Sequence, residues 1–530
     1  MKGKLLKKFK ELKEVLKKKG AKAKWTLAYI TIPTSLLIGA LFLRFADPAA
    51  LVDIRHWTFD AFQRAAPREY RPDSPVRIID IDDESLEKIG QWPWPRTQVA
   101  AVVERLQELG VGVIVFDVVF AEPDRTSPKQ IAKSLPDAPG MEVLKSELKK
   151  LPDNDRVLAK AIKRATVVTG FSLTHKKNLI RPVLRARFGL GSVQKKKLVI
   201  KEGQSRIEAI QEAARKMKHG DEADLTTFLP EHYAGAIKNV AILELAAKGN
   251  GNFSILRDRD GIIRRVPLLY KLDGDIYPSL VAEALRVAQG TRDIKVKASG
   301  ASGEIWRGFI GIASVRIGTF TIPTDQEGRV LLYDTGHQPE RYVPVWKLFD
   351  ESFDASALAG SIAFIGTSAA GLQDIRATPL SPIIPGVEIH AQLAEQILSG
   401  EFLERPDYAT AVEIWFLILL GAVLIGLMPR LGAAWCAVIA VGAVAGAFGL
   451  SWYEYTAKRY LLDPLYPSLA VLLVYFSSSL INYLRTESER KQVRGAFSRY
   501  MSPALVEQLA KDPSRLRLGG EKRDMTLMFS

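Results

Sequence analysis

Residues 76–120 read VRIIDIDDESLEKIGQWPWPRTQVAAVVERLQELGVGVIVFDVVF. Residues 76–81 form a short apolar run, and 96–109 repeat apolar residues at helical spacing up to Gly110. Residues 111–120 are almost continuously apolar, as a central strand covered on both faces requires. A strand, a helix and a second buried strand in that order predict parallel neighbours, because parallel strands need a crossover between them. The same order returns at 155–165 and 166–173, and again as a strand over 361–365 and a helix over 387–398 stopped by Gly400. Residues 44–408 therefore predict an α/β domain with a mixed, partly parallel sheet and helices on its faces.

Between these elements the pattern changes. Residues 252–257 and 262–270 flank Asp258-Arg259-Asp260-Gly261, and Asp-Gly between apolar runs predicts a hairpin, since glycine accepts positive φ. The same four residues resemble the opening of a calcium loop, but no downstream glutamate completes it at the usual spacing. Residues 176–235 are lysine-rich and weakly periodic, which predicts a solvated helical excursion.

Polar clusters fall where strands should end: Asp80, Asp82 and Asp83; Asp117; and Gly366-Thr367-Ser368 running on to Asp374. Ligands of open α/β sheets bind beyond the carboxyl ends of the strands, so Asp82, Asp117, Thr367 and Asp374 are candidates to line one pocket for a small polar molecule or ion. Asp and Ser at such places also cap the following helix, and that competing role stays open for each of them. Gly366-Thr367-Ser368 lacks the lysine of a phosphate-binding P-loop.

A mean hydropathy of +0.01 averages two unlike populations. Residues 25–43 carry no charge and are long enough to cross a hydrocarbon core of about 30 Å. Residues 411–429, 431–453 and 464–484 follow as three more candidate spans, joined by Pro429-Arg430 and by a loop in which Glu454, Lys458, Arg459 and Asp463 cancel. A cleaved signal peptide is the competitor for the first span; its apolar region is normally shorter, and Arg44-Phe45-Ala46-Asp47 is not a small-x-small cleavage site. The net charge of +15 is not spread over a surface, which argues against nucleic acid as a partner. Residues 1–24 hold eleven Lys against Glu11 and Glu14. This basic segment, either an amphipathic helix on the inner leaflet or a solvated tail, marks the cytoplasmic side, and the basic residues of 485–499 mark it again. The expected topology is a multi-pass protein of the cell (inner) membrane, both termini cytoplasmic and residues 44–408 outside. Cys436 is the sole cysteine, so no intramolecular disulfide supports the external domain. Gly442 and Gly446 form a small-xxx-small pattern, expected to serve packing among the chain's own helices.

Several stretches together resemble a known family. They are Asp80-Ile-Asp-Asp-Glu-Ser-Leu, Gly90-Gln-Trp-Pro-Trp-Pro-Arg96, Gly112 to Phe120, Asp258-Arg-Asp-Gly-Ile-Ile-Arg-Arg-Val-Pro-Leu, Phe364-Ile-Gly-Thr-Ser-Ala-Ala-Gly-Leu-Gln-Asp, Thr378-Pro-Leu and Pro385-Gly-Val-Glu-Ile-His-Ala. They resemble the second class of the CHASE family of extracellular sensor domains, found before three transmembrane helices and an intracellular output domain. The resemblance implies a sensory role without naming a ligand. It draws attention to Trp92, Trp94 and Arg96, although two Trp-Pro units also give a rigid extended lead into the helix at Arg96. The candidate ligand-binding residues are thus Asp82, Arg96, Asp117, Thr367, Ser368 and Asp374, with no catalytic and no metal-binding residue in the chain.

Arg494-Gly-Ala-Phe-Ser-Arg-Tyr-Met-Ser-Pro-Ala-Leu-Val and Leu518-Gly-Gly-Glu-Lys-Arg-Asp-Met-Thr-Leu-Met-Phe-Ser530 resemble the linker and first strand of a class III adenylate or guanylate cyclase. In that family the strand leads straight into a metal-binding aspartate, which falls beyond Ser530. The resemblance implies the sensor and membrane portion of a receptor-type cyclase that makes cyclic AMP from ATP in its full-length form, GTP remaining open as substrate. Two divalent ions, Mg or Mn, are expected for the catalytic domain, none is expected in residues 1–530, and neither is cyclase activity. The expected partners are the lipid bilayer, a second copy in a homodimer and a small external ligand. The alternative is a non-enzymatic membrane receptor acting through partner proteins. A transporter fits less well, for the spans hold almost no interior charge.

Overall fold

The computed structural model describes residues 25, 27–138, 140–190, 226, 229–298, 311–372, 374–406, 408–497 and 528. The basic segment 1–24, most of 176–235 and the cyclase-like segment past Phe497, Met528 apart, lie outside them. The chain divides into two compact units, Phe59–Glu404 and Met1–Thr58 with Arg405–Ser530.

In the first unit, seven strands make one sheet: β1 (Val76–Ile81), β2 (Val113–Phe116), β3 (Val167–Thr174), β4 (Gly235–Ile237), β5 (Gly249–Asn252), β6 (Tyr342–Pro344) and β7 (Ile362–Thr367). Their order is β6-β1-β7-β2-β3-β4, with β5 also on β3, and every pairing is parallel except β3 with β4. Side chains alternate across the sheet. Ile78, Val113, Val115 and Phe364 enter one core, whereas Ile79, Ile81, Ile114, Phe116 and Ile365 enter another. Both faces are thus apolar, which is why these strands read as continuous hydrophobic runs.

Helices supply the cover. After α1 (Asp83–Ile89) come α2 (Arg96–Glu108) and α3 (Asn154–Arg164), whose Val99, Val103, Leu106, Leu158 and Ile162 complete the second core. The opposite core is filled by α4 (Leu280–Ala288) and α5 (Gly386–Ser399). Helix α5 lies close on β7 because Gly366 has no side chain: a Cβ there would come within 2.5 Å of Val387. Gly400, at φ 68°, ends α5 in the left-handed conformation that the sequence predicts for a stop. A four-stranded sheet, ordered Phe320–Pro323, Ile312–Ile317, Asp293–Ala298 and Arg187–Leu190, packs Ile294, Val296, Val315 and Ile317 into the first core.

Three expectations need correction here. The turn at 258–261 forms, with Gly261 at φ +84°, but its flanks do not pair with each other. β5 goes to β3 and Arg265–Pro267 to Arg329–Leu331, because Arg264 is drawn inward by Asp60, Asp258 and Asp260 at 2.7, 3.0 and 2.6 Å. The same arginine occupies Asp258 and Asp260, which removes the calcium-loop reading. Within 176–235, Arg187–Leu190 is a strand rather than a helix, since its backbone completes the edge of Asp293–Ala298.

The other unit contains three helices long and apolar enough to cross a membrane: Leu27–Ala46, Ala409–Lys458 and a stretch of Leu465–Lys491. As the sequence predicts, two helices meet close to Pro429-Arg430: Ala409–Lys458 is interrupted by a kink at Gly432, whose φ of 78° and ψ of 174° are not helical, two residues beyond the expected turn. Tyr29, Leu37, Leu417, Leu424, Cys436, Val471 and Val474 form its core. The close approach comes at Gly421, where a Cβ would lie 2.8 Å from Leu37. Among the described residues a Cβ on Gly442 or Gly446 would meet nothing within 4 Å, so the packing expected of that pair is not made there. Glu413, near the start of the first of these two helices, accepts from Arg44 at 2.6 Å, from Arg405 at 2.8 Å and from the Asp463 amide at 3.0 Å.

Candidate functional site

Parallel strands leave their last residues at one edge of the sheet, and two of the candidates meet there. β2 ends at Phe116, and the Asp117 amide still donates to the Ile365 carbonyl at 2.9 Å, which brings Asp117 beside the end of β7. Thr367 closes β7; its hydroxyl donates to the Ile81 carbonyl at 2.9 Å and accepts from the Ala369 amide at 3.1 Å. The loop then runs to Asp374, whose carbonyl accepts from the Gly386 amide at 2.9 Å at the start of α5. The Asp374 carboxylate occupies the space that a Cβ on Gly386 would take, so a larger residue there would displace it.

These residues surround a cavity of about 240 Å³, completed by Trp92, Val118, Phe253, Ile255, Leu372, Arg376 and His390. Trp92 stands edge-on to buried Trp94 at 5.4 Å, and the Trp94 indole donates to the Gly90 carbonyl at 2.6 Å. The two Trp-Pro units therefore both pack the α2 approach and furnish one wall. His390 approaches the Phe253 carbonyl through Nε2 at 3.2 Å and the Asp117 carboxylate at 3.8 Å. With the proton on Nε2, Nδ1 is a buried acceptor, and it has no partner among the described residues. Burial lowers the imidazole to about 4, against the pull of the Phe253 carbonyl. Burial also pushes the Asp117 carboxyl well above the usual carboxylate range, the Asp374 charge adding to it and Arg376 opposing it.

Of the six candidates, Asp117, Thr367 and Asp374 share this cavity. The other three take structural roles. Asp82 caps α1, accepting from the Ser85 amide at 2.8 Å. Ser368 turns away to Asp80, giving its amide and hydroxyl at 2.9 and 2.6 Å. Arg96 opens α2 with its amide on Asp124 at 2.8 Å and its guanidinium over the Phe120 ring at 4.4 Å, 3.5 Å from Asp155. Asp80 itself is buried, which lifts its carboxyl to about 6 in spite of the Ser368 bonds. Reasoning from the sequence missed Arg376, Phe253 and His390 as cavity residues, although His390 lies inside the motif at 385–391.

The long apolar helices mark the chain as a membrane protein. The chain belongs to the CHASE2 domain family, whose model matches residues 34–428; CHASE2 is an extracellular sensor domain of signalling proteins. No curated protein and no solved structure matches the chain.

Proposed function

We propose that this chain is the sensor and membrane portion of a receptor-type class III cyclase, which reads a small ligand in the cavity between β2 and β7 and passes the signal to a cytoplasmic output domain. The observation that carries the reading is the placement of the CHASE2 domain between apolar helices whose far ends are basic. The kink at Gly432 divides Ala409–Lys458 into two helices, and at 1.5 Å per residue each, about 34 and about 39 Å long, is enough to cross a hydrocarbon core of about 30 Å. They serve as two spans that meet at Pro429–Gly432, bringing the crossings to four. Both basic ends then face the cytoplasm; three crossings would leave one outside, against the positive-inside rule. The cyclase-like pattern at 494–530 supports the output. Asp117, Thr367 and Asp374 hold the ligand, and two copies of the chain pair through the spans so that the output domains meet.

Two measurements test this. In a Cys436→Ala background, Asp275→Cys, at the exposed start of the strand Asp275–Pro278, should react with an impermeant maleimide in intact cells, and Ser488→Cys only after permeabilisation. Equal labelling would overturn the topology. Joining the catalytic domain of a class III adenylate cyclase after Ser530 should give cyclic AMP from ATP; none above a heat-killed control would favour the receptor that works through partner proteins.

A further inference from the structure

The charges around the cavity do not balance. Asp374 is answered by Arg376 at 2.6 Å. His390 is neutral, and its Nε2 proton points to the Phe253 carbonyl. Asp117 is left over: its side chain is 5 % exposed, and among the described residues no donor lies within hydrogen-bond distance of its carboxylate. Leaving a buried carboxyl without a donor is costly, so the fold keeps this group at the expense of stability. The walls beside it are aromatic and aliphatic, from Trp92, Phe253, Ile255 and Leu372. Aromatic faces attract cations, and walls that exclude water strengthen any ion pair formed between them.

We propose that the cavity binds a small organic ammonium compound, its –NH3+ on the Asp117 carboxylate and its carbon skeleton against Trp92, Phe253, Ile255 and Leu372. This rests on reading the cavity as the sensor's ligand site. Its 240 Å³ falls below the range of about 300–1,000 Å³ typical of drug-sized ligands and suits a metabolite of a few carbons. A ligand carboxylate or phosphate would face both Asp117 and Asp374, while Arg376 is already paired with Asp374 at 2.6 Å. For a metal ion, no group of three His, Cys, Asp or Glu side chains is assembled among the described residues. Among the described residues the ionisable groups facing Asp117 are Asp374, Arg376 and His390. Where Asp117 holds a proton, binding releases it: the O–H pair stays on the carboxylate, which gains the ammonium, and one H+ leaves to solvent. Ammonium affinity therefore rises with pH.

The test uses the whole chain in detergent and isothermal titration calorimetry with n-butylammonium, butyrate and 1-butanol. n-Butylammonium should bind at least about tenfold more tightly than either isostere, more weakly at about pH 5 than at about pH 8, and about tenfold more weakly to Asp117→Asn. The melting temperature of Asp117→Asn should stay at or above that of the parent, which separates lost binding from unfolding. If butyrate or 1-butanol binds as tightly, and Leu372→Trp abolishes it by filling the cavity, the ammonium class is overturned while the ligand site stands. Binding of n-butylammonium that survives Asp117→Asn would overturn the role of Asp117. If none of the three binds, both the class and the site fail.

Discussion

Helix α5 borders two sets of buried carboxylates that differ in one respect. Glu388 and Glu395 have their partners in place, and Asp117, across from His390, does not. Glu388 is completely buried and accepts from the Gln338 amide at 2.9 Å, the Tyr342 hydroxyl at 2.6 Å, His337 at 2.7 Å and Arg341. Glu395 takes Arg341 at 2.8 and 3.0 Å and Arg68 at 3.3 Å. Burial alone would lower the Arg341 guanidinium, yet Glu395 and Glu388 outweigh it and raise it. A matched buried charge of this kind fixes geometry, here tying α5 to β6 and the segment before it. An unmatched one leaves bonding capacity that the protein itself does not use. The difference separates structural acids on α5 from a candidate ligand handle that faces the same helix from the end of β2.

Breaking the matched set should have the largest effect. Arg341→Met leaves Glu388 and Glu395 buried without their shared cation and should cost about 3–5 kcal/mol, read as the denaturant midpoint of the sensor transition. Adding Glu388→Gln to Arg341→Met, with Glu395 kept as the partner of Arg68, should recover most of it, since the penalty lies in the uncompensated charge. A loss below about 1 kcal/mol in the single variant would mean that the network is not what holds α5.

Asp80 sharpens the comparison through pH. Its folded carboxyl, at about 6, lies above an ordinary value of about 4, so the native state binds the extra proton and stability falls as pH rises through that window. His390, at about 4 when folded and about 6.5 when unfolded, acts oppositely: stability rises over the same range. Asp80→Asn should therefore gain on the parent by about 2–3 kcal/mol between about pH 4 and about pH 7, measured as the difference between two pH series of thermal unfolding. A constant difference would place the carboxyl near its ordinary value. Asp82→Ala, the smallest change, should cost about 1 kcal/mol for the lost helix cap and leave n-butylammonium binding as it was. Altered binding there would return Asp82 to the site.

The sequence carried the sheet because both-sided burial writes itself as apolar runs, and β1, α2 and α5 fall within a residue or two of where periodicity puts them. β2 is four residues rather than ten, since apolarity continues into the turn at Val118 and Phe120 while the ladder stops. Within the cavity, Asp117, Thr367 and Asp374 were legible because strand ends converge. Asp82 and Ser368 look the same in sequence, yet a local amide or a neighbouring carboxylate satisfies each. His390 and Phe253 meet across 137 residues of chain, a juxtaposition that only the crossover topology creates. The hairpin expectation failed for a related reason: Arg264 answers to Asp60, 204 residues earlier.

The contrast between matched and unmatched acids is tested most directly by two isosteric changes measured side by side at about pH 8, where an ordinary carboxyl is fully ionised. The melting temperature of the sensor transition in the whole chain should rise for Asp117→Asn, which removes a buried carboxyl that no protein donor answers, and fall for Glu388→Gln, which takes from Arg341 one of its two carboxylate partners. A fall in both would show that Asp117 is held by the fold like Glu388, and would contradict its assignment as the open end of the site.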